Sequence, residues 1–163
     1  MGITEDEQDH QFMHLAMEQA QLAEQQGEVP VGAVLVKSGE VIAHGHNQVI
    51  SLNDPCAHAE IQALKAAGKA LGNYRLVDCH LYVTLEPCVM CTGALIHARI
   101  GRLIYGAHDP KTGVISSVDQ ITERTYHNHY FDISAGVMGD ECSQMLSDFF
   151  KRRRTAKRSS RCE

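Results

Sequence analysis

Two short stretches carry the residues best suited to chemistry: His58-Ala59-Glu60 and Pro87-Cys88-Val89-Met90-Cys91. One imidazole and two thiols, the thiols spaced to reach one ion from a single turn of backbone, form a donor set that suits zinc. No fourth protein ligand is evident beside His58, Cys88 and Cys91; a closed structural site would need one, and Cys56 is the nearest candidate. Three protein ligands leave a position for water, which is the pattern of catalytic zinc. Zinc lowers the pKa of its bound water from about 15.7 to roughly 7. Glu60, not a ligand, is placed to take that proton and hand it to a leaving group. A hydroxide nucleophile with a proton shuttle suits hydrolytic displacement of an amine from an amidine-like carbon, such as C4 of cytosine or C6 of adenine.

The elements that must position these residues can be read from periodicity. A helix is expected over 59–70, with Ile61, Leu64, Ala67 and Leu71 on one side and Gly72-Asn73 as its break. His58 and Glu60 then lie at its first turn, where free N–H groups and the helix dipole favour negative charge. Residues 79–85 read as a strand, and Pro87 opens a helix that runs to Gly101, setting Cys88 and Cys91 one turn apart on one face. Both helices thus start just past a loop or strand end, where ligand sites form in α/β folds. Around them, 4–26 reads as a helix with a Thr4/Glu7 capping box, and 29–47 as a hairpin turning at Ser38-Gly39. Strands are expected over 103–106 and 130–134, and a last helix over 140–154 with Cys142, Met145, Leu146 and Phe149 as a packing stripe. Phe150 must face elsewhere, and 114–130 shows no readable pattern. Asn47, at a strand end, suits either turn chemistry or a pocket. His10 and His14 lack accompanying thiols or carboxylates and read as surface or interface residues.

The chain has 163 residues, 44% of them hydrophobic, enough for one core. One domain is expected over 1–154, followed by a flexible basic tail over 155–163. No apolar run is long enough for a bilayer, and the acidic, polar N-terminus is unlike a secretory signal, so a cytoplasmic location is the default expectation. Cys56, Cys79, Cys142 and Cys162 follow no disulfide framework. The formal charge of −5 conceals an asymmetry: residues 151–163 hold seven Lys and Arg against Glu163, so that end is +6 and the remainder −11. Such an end suits a polyanion contact or, equally, a solvated helix terminus. An aromatic such as Phe150 beside basic residues is the combination that stacks single-stranded bases.

His-x-Glu together with Pro-Cys-x-x-Cys is the zinc nucleobase deaminase signature. Further blocks accompany it: Glu28-Val29-Pro30-Val31-Gly32-Ala33-Val34-Leu35-Val36, Asn47, Asp54-Pro55, Asn73-Tyr74-Arg75-Leu76, the run from Leu81 to Cys91, Arg99-Ile100-Gly101-Arg102, Asp109-Pro110-Lys111-Thr112-Gly113, Asn128-His129 and Phe149-Phe150. On these the chain resembles the bacterial tRNA-specific adenosine deaminases of the cytidine/deoxycytidylate deaminase superfamily, from about Glu7 to Arg154. The resemblance implies a three-layer α/β/α sandwich of the cytidine deaminase type with a central five-stranded mixed sheet, a homodimer, and one zinc ion per subunit. It implies conversion of the wobble adenosine of a tRNA anticodon, chiefly that of an arginine tRNA, to inosine with release of ammonia. By the same resemblance His58, Cys88 and Cys91 hold zinc, Glu60 shuttles the proton from zinc-bound water, and Asn47 contacts the flipped-out nucleoside. The backbone at Ala59 meets the base edge, Asp109 and Lys111 lie in a loop that approaches the anticodon, and Phe149, Phe150 and Arg153 lie near it.

One block departs from the family pattern. Where a Gly-Ser and an Asn- or Leu-rich segment are usual after Thr112-Gly113, this chain has Val114-Ile115-Ser116-Ser117-Val118-Asp119, and Tyr126-His127 precedes Asn128-His129. Two other functions compete: deamination of a free nucleobase or nucleoside, and a zinc-stabilised binding subunit without catalysis. A non-ligand carboxylate at Glu60 speaks against the latter.

Overall fold

A computed structural model describes residues 2–162. The chain order is α1 (Glu5–Gln25), β1 (Gly32–Lys37), β2 (Glu40–His46), α2 (Ala59–Leu71), β3 (Cys79–Leu85), α3 (Val89–Ala98), β4 (Arg102–Ala107), a single 3-10 turn (Ile121–Glu123), β5 (Asp132–Ala135) and α4 (Gly139–Ser160). The strands form one mixed sheet in the order β2-β1-β3-β4-β5. β1 pairs antiparallel with β2 and β3, while β4 runs parallel to β3 and to β5.

Alternation along the strands divides the core into two layers. Val34, Val36, Tyr82 and Ile104 pack with Phe12, Met13 and Ala16 of α1 and Cys142 of α4. Ala33, Leu35, Leu81, Val83, Leu103 and Tyr105 pack with Ala59, Ala63 and Ala67 of α2 and Leu95 of α3. The α/β/α sandwich follows. β1 is buried on both faces, as its unbroken apolar run requires. The helices sit very close to the edge of the sheet. A Cβ on Gly32 would come within 2.0 Å of the Ala16 carbonyl, and one on Gly45 within 2.3 Å of the Ala59 carbonyl.

One buried polar cluster ties α1 to three strands. The Tyr82 hydroxyl donates to Asp9 at 2.7 Å, and Arg102 grips both oxygens of Asp9 at 2.9 and 2.7 Å and donates to Ser134. This bidentate pairing satisfies the buried carboxylate.

Two helices differ from the sequence expectation, α3 at both ends and α4 at its end. Pro87 precedes α3 instead of opening it, because Cys88 is extended (φ −78°, ψ 177°) and serves as N-cap. Cys88 and Cys91 therefore do not share a helical face: Cys88 stands at the helix entrance and Cys91 in its first turn. α3 stops at Ala98 rather than Gly101, where Arg99 turns left-handed (φ 61°). α4 continues through Ser160, so most of the segment 155–163 prolongs the helix. Lys, Arg and Ala favour helix, and no Gly or Pro interrupts the run.

Candidate active site

His58 and Cys88 are the N-cap residues of α2 and α3, and neither side chain caps its helix. Capping positions normally carry oxygen side chains that accept from the first turn. Here an imidazole and a thiol stand there instead, free to point elsewhere. They point at each other and at Cys91. His58 Nδ1 lies 3.6 Å from Cys88 Sγ and 3.5 Å from Cys91 Sγ, and the three donor atoms all lie within 4.8 Å of one another. In a tetrahedron around zinc, with usual Zn–N and Zn–S bonds, the N···S edge is about 3.6 Å. Donor type and spacing both fit zinc, and His58, Cys88 and Cys91 are the residues that would hold it.

The local field supports thiolate at Cys88. Hydrogen bonding from Cys91, then from His58, pulls the Cys88 thiol down to about 4, against the opposing effect of burial. The same contact with Cys88, reinforced by burial, pushes Cys91 up. His58 is raised, first by its bond to Cys88. Two helix N-termini add positive potential.

Glu60 lies in the first turn of α2, 4% exposed, against the Cys91 thiol. Burial is the main influence on its carboxyl and pushes it above the usual glutamate range. Asn47 bridges two segments of the same wall. Its Oδ1 accepts from the Ala59 N–H at 2.9 Å, and its Nδ2 donates to the Val29 carbonyl at 3.1 Å. Asn47 thus holds the start of α2 while lying half-buried beside it. Six of the expected site residues, Asn47, His58, Ala59, Glu60, Cys88 and Cys91, come together.

Two buried glutamates that residue spacing did not single out organise the flanking loops. Glu28 accepts from the N–H groups of Ile50 and Ser51 and from the Ser51 hydroxyl, so it fixes the loop leading to His58. Glu86, between β3 and Cys88, accepts from the N–H groups of Asp109, Ile115, Ser116 and Ser117 and from the Ser117 hydroxyl. Burial alone would raise Glu86; these donors outweigh it and hold the carboxyl at about 2. The sequence signal for both was slight: a glutamate adjoining an apolar run.

The other expected contacts are spread over two elements. Asp109 accepts from the N–H groups of Lys111 and Thr112 and from the Thr112 hydroxyl, shaping the turn that presents the exposed Lys111. On α4, Phe149 is buried, Phe150 is 41% exposed, and the Arg153 guanidinium lies 5.4 Å from the Phe149 ring centre. Arg152 pairs with Glu24 at the end of α1, which brings this part of α4 to the end of the sheet where β1 begins.

A mixed sheet with a His/Cys/Cys cluster at two helix starts, plus a buried glutamate, defines a zinc-dependent deaminase domain. Residues 6–107 match the family model for the cytidine and deoxycytidylate deaminase zinc-binding region. A tRNA-specific adenosine deaminase of Haemophilus influenzae is 49% identical over 151 residues, covering 92% of this chain and 87% of that one. The chain belongs to the family of tRNA-specific adenosine deaminases. A solved structure from work on A-to-I editing by tRNA:A34 deaminases superposes with a TM-score of 0.81 at 46% identity, covering 83% of this chain and 99% of that one. A guanine deaminase of Bacillus subtilis has a TM-score of 0.60 at 36% identity, covering 74% and 82% of the two chains.

Proposed function

We propose that this protein hydrolyses adenosine to inosine at the wobble position of a tRNA anticodon, that of an arginine tRNA first among candidates, and releases ammonia. The observation that carries the reading is the pairing of three zinc donors with a buried carboxylate that is not one of them. Zinc at such a site supplies Lewis acidity that makes water a nucleophile near neutral pH. Glu60 receives a proton from the attacking water and passes it to the purine as C6 becomes tetrahedral. Glu60 then carries the hydroxyl proton to N6, the C6–N6 bond breaks as the C6 carbonyl forms, and ammonia leaves. Water and adenosine are consumed one for one. Asn47 and the backbone at Ala59 hold the flipped-out nucleoside against Glu60. Asp109, Lys111, Phe149, Phe150 and Arg153 take the neighbouring nucleotides, with exposed Phe150 as a stacking face. A tRNA substrate fits a cytoplasmic setting.

The protein acts as a homodimer in this reading. A groove of about 520 Å³ between α2 and α3, lined by Ile61, Leu64, Tyr74, Leu76 and Ala98, offers an apolar face that a second copy would cover.

Incubation of the zinc-loaded protein with tRNA, with an anticodon stem-loop, and with free adenosine, cytidine and guanine tests the substrate. Inosine in the RNA alone is expected. Turnover of a free base or nucleoside alone would overturn the RNA reading. Zinc binding without turnover of any substrate would favour a non-catalytic subunit.

A further inference from the structure

Glu86 is buried at 2% exposure, yet five donors converge on its two oxygens, all from one loop. A carboxylate is acceptor-only and offers about four lone-pair positions, so five donors saturate it with one position shared; an amide would turn its NH₂ against some of them. The loop is shaped around the carboxylate. A Cβ on Gly113 would come within 2.4 Å of it, and the Val114 N–H donates to the Pro87 carbonyl at 3.2 Å. The Glu86 N–H in turn donates to the Ala107 carbonyl at 2.8 Å, where the loop leaves β4. Glu86-Pro87 is therefore stitched to the 107–117 loop from both its backbone and its side chain, and the next residue is Cys88. Ser116 and Ser117 sit in the block that departs from the family pattern, and both meet this carboxylate.

We propose that Glu86 is a positioning residue that fixes the RNA-facing 109–117 loop in register with the turn carrying Cys88. It sets where Asp109 and Lys111 stand relative to the reacting carbon without touching substrate itself. The assignment of Asp109 and Lys111 to RNA rests on the function proposed above; the latch between Glu86 and the loop does not.

The variants Glu86→Gln, Ser117→Ala and Gly113→Ala, compared with wild type as zinc-loaded protein, test this. Ser117→Ala removes one donor from an exposed position, and Gly113→Ala forces the loop and the Glu86 carboxyl group apart, because its Cβ would fall on that group. Hydrogen exchange at Ile115, Ser116 and Ser117 reads the latch without any substrate. Faster exchange with full zinc content is expected in all three variants, greatest in Glu86→Gln. With the anticodon stem-loop, KM should rise about tenfold in Glu86→Gln while kcat changes by less than about threefold, and Glu86→Asp should recover part of the loss. Unchanged loop exchange in Glu86→Gln would overturn the latch. Faster exchange with unaltered KM and a fallen kcat or zinc content would overturn the positioning role and leave Glu86 as support for Cys88. If wild type turned over no RNA, the substrate reading would fail, and the exchange measurement would still decide the latch.

Discussion

The contact between Gly45 and α2 sets how accurately His58 and Glu60 are held. An alanine Cβ at position 45 would stand 2.3 Å from the Ala59 carbonyl, 2.5 Å from the Ala63 N–H nitrogen and 3.0 Å from the Gln62 Cβ. Two of these atoms are backbone and cannot rotate away. Restoring ordinary contact requires α2 and β2 to separate by about 1 Å, an overpacking cost of about 1–3 kcal/mol. The separation falls on the first turn of α2, which carries Glu60 and is entered through His58. A misplacement of about 1 Å in a reacting group can cost about 10²-fold in rate. Gly45→Ala should therefore lose about 1–3 kcal/mol in urea unfolding and about 10²-fold in kcat/KM on an anticodon stem-loop, measured on the folded, zinc-loaded fraction. Gly32→Ala is the control. Its Cβ would meet the Ala16 carbonyl at 2.0 Å, so it presses on α1, across the sheet from the metal donors. It should destabilise at least as much with a much smaller loss of activity per folded molecule. Gly45→Ala with wild-type turnover, or equal activity losses in the two variants, would refute the link between this contact and the site.

Glu60→Gln keeps the volume of a buried side chain and removes the proton carrier; zinc content should hold while single-turnover rates fall by about 10²–10⁴-fold. Asp9→Asn leaves the Arg102 charge without its bidentate partner, which should cost about 3–5 kcal/mol by denaturant titration. Asp9 also gives the wild type an acid limit. Burial acts to raise its carboxyl, but the Arg102 and Tyr82 hydrogen bonds prevail and lower it from 3.8. Its stabilisation is thus complete above the unfolded value and lost as pH falls below about 3.8 through the folded one, so the wild type should weaken there more steeply than Asp9→Asn. Removing residues 151–163 should weaken tRNA binding and flatten its dependence on salt, because fewer phosphates would be neutralised; an unchanged slope would show that the basic end makes no RNA contact.

The parts of the molecule that were legible in the sequence are those fixed by neighbours in the chain. The Thr4/Glu7 capping box, the turn at Ser38-Gly39 and the periodicity of α2 are local, and each formed as expected. The His58, Cys88 and Cys91 cluster was legible because two helix starts each declare themselves within a few residues. The place of Pro87 was not legible, because a proline suits both the first helical position and the residue before an N-cap; the backbone bonds of Glu86 and Pro87 to residues 107 and 114 select the second. The Glu86 and Asp9 clusters were not legible because their partners come from far along the chain, up to 93 residues away for Asp9 and Arg102. α4 outran its expected end because a Lys/Arg/Ser composition describes a solvated helix as well as it describes a tail.

In the proposed function, the residues assigned to the zinc centre and the reacting nucleoside and those assigned to the neighbouring nucleotides occupy different stretches of this chain. The match to the general deaminase region spans 6–107 and contains Asn47, His58, Ala59, Glu60, Cys88 and Cys91. Asp109, Lys111, Phe149, Phe150 and Arg153 all lie beyond it. Those proposed RNA contacts lie on two parts beyond the matched region: the loop after β4, and α4 crossing to the end of α1. Both appended parts meet the shared region through polar contacts, Glu86 to the 109–117 loop and Glu24 to Arg152. Substitutions at these junctions should therefore alter which RNA binds, and how tightly, while the zinc donors and Glu60 keep their geometry.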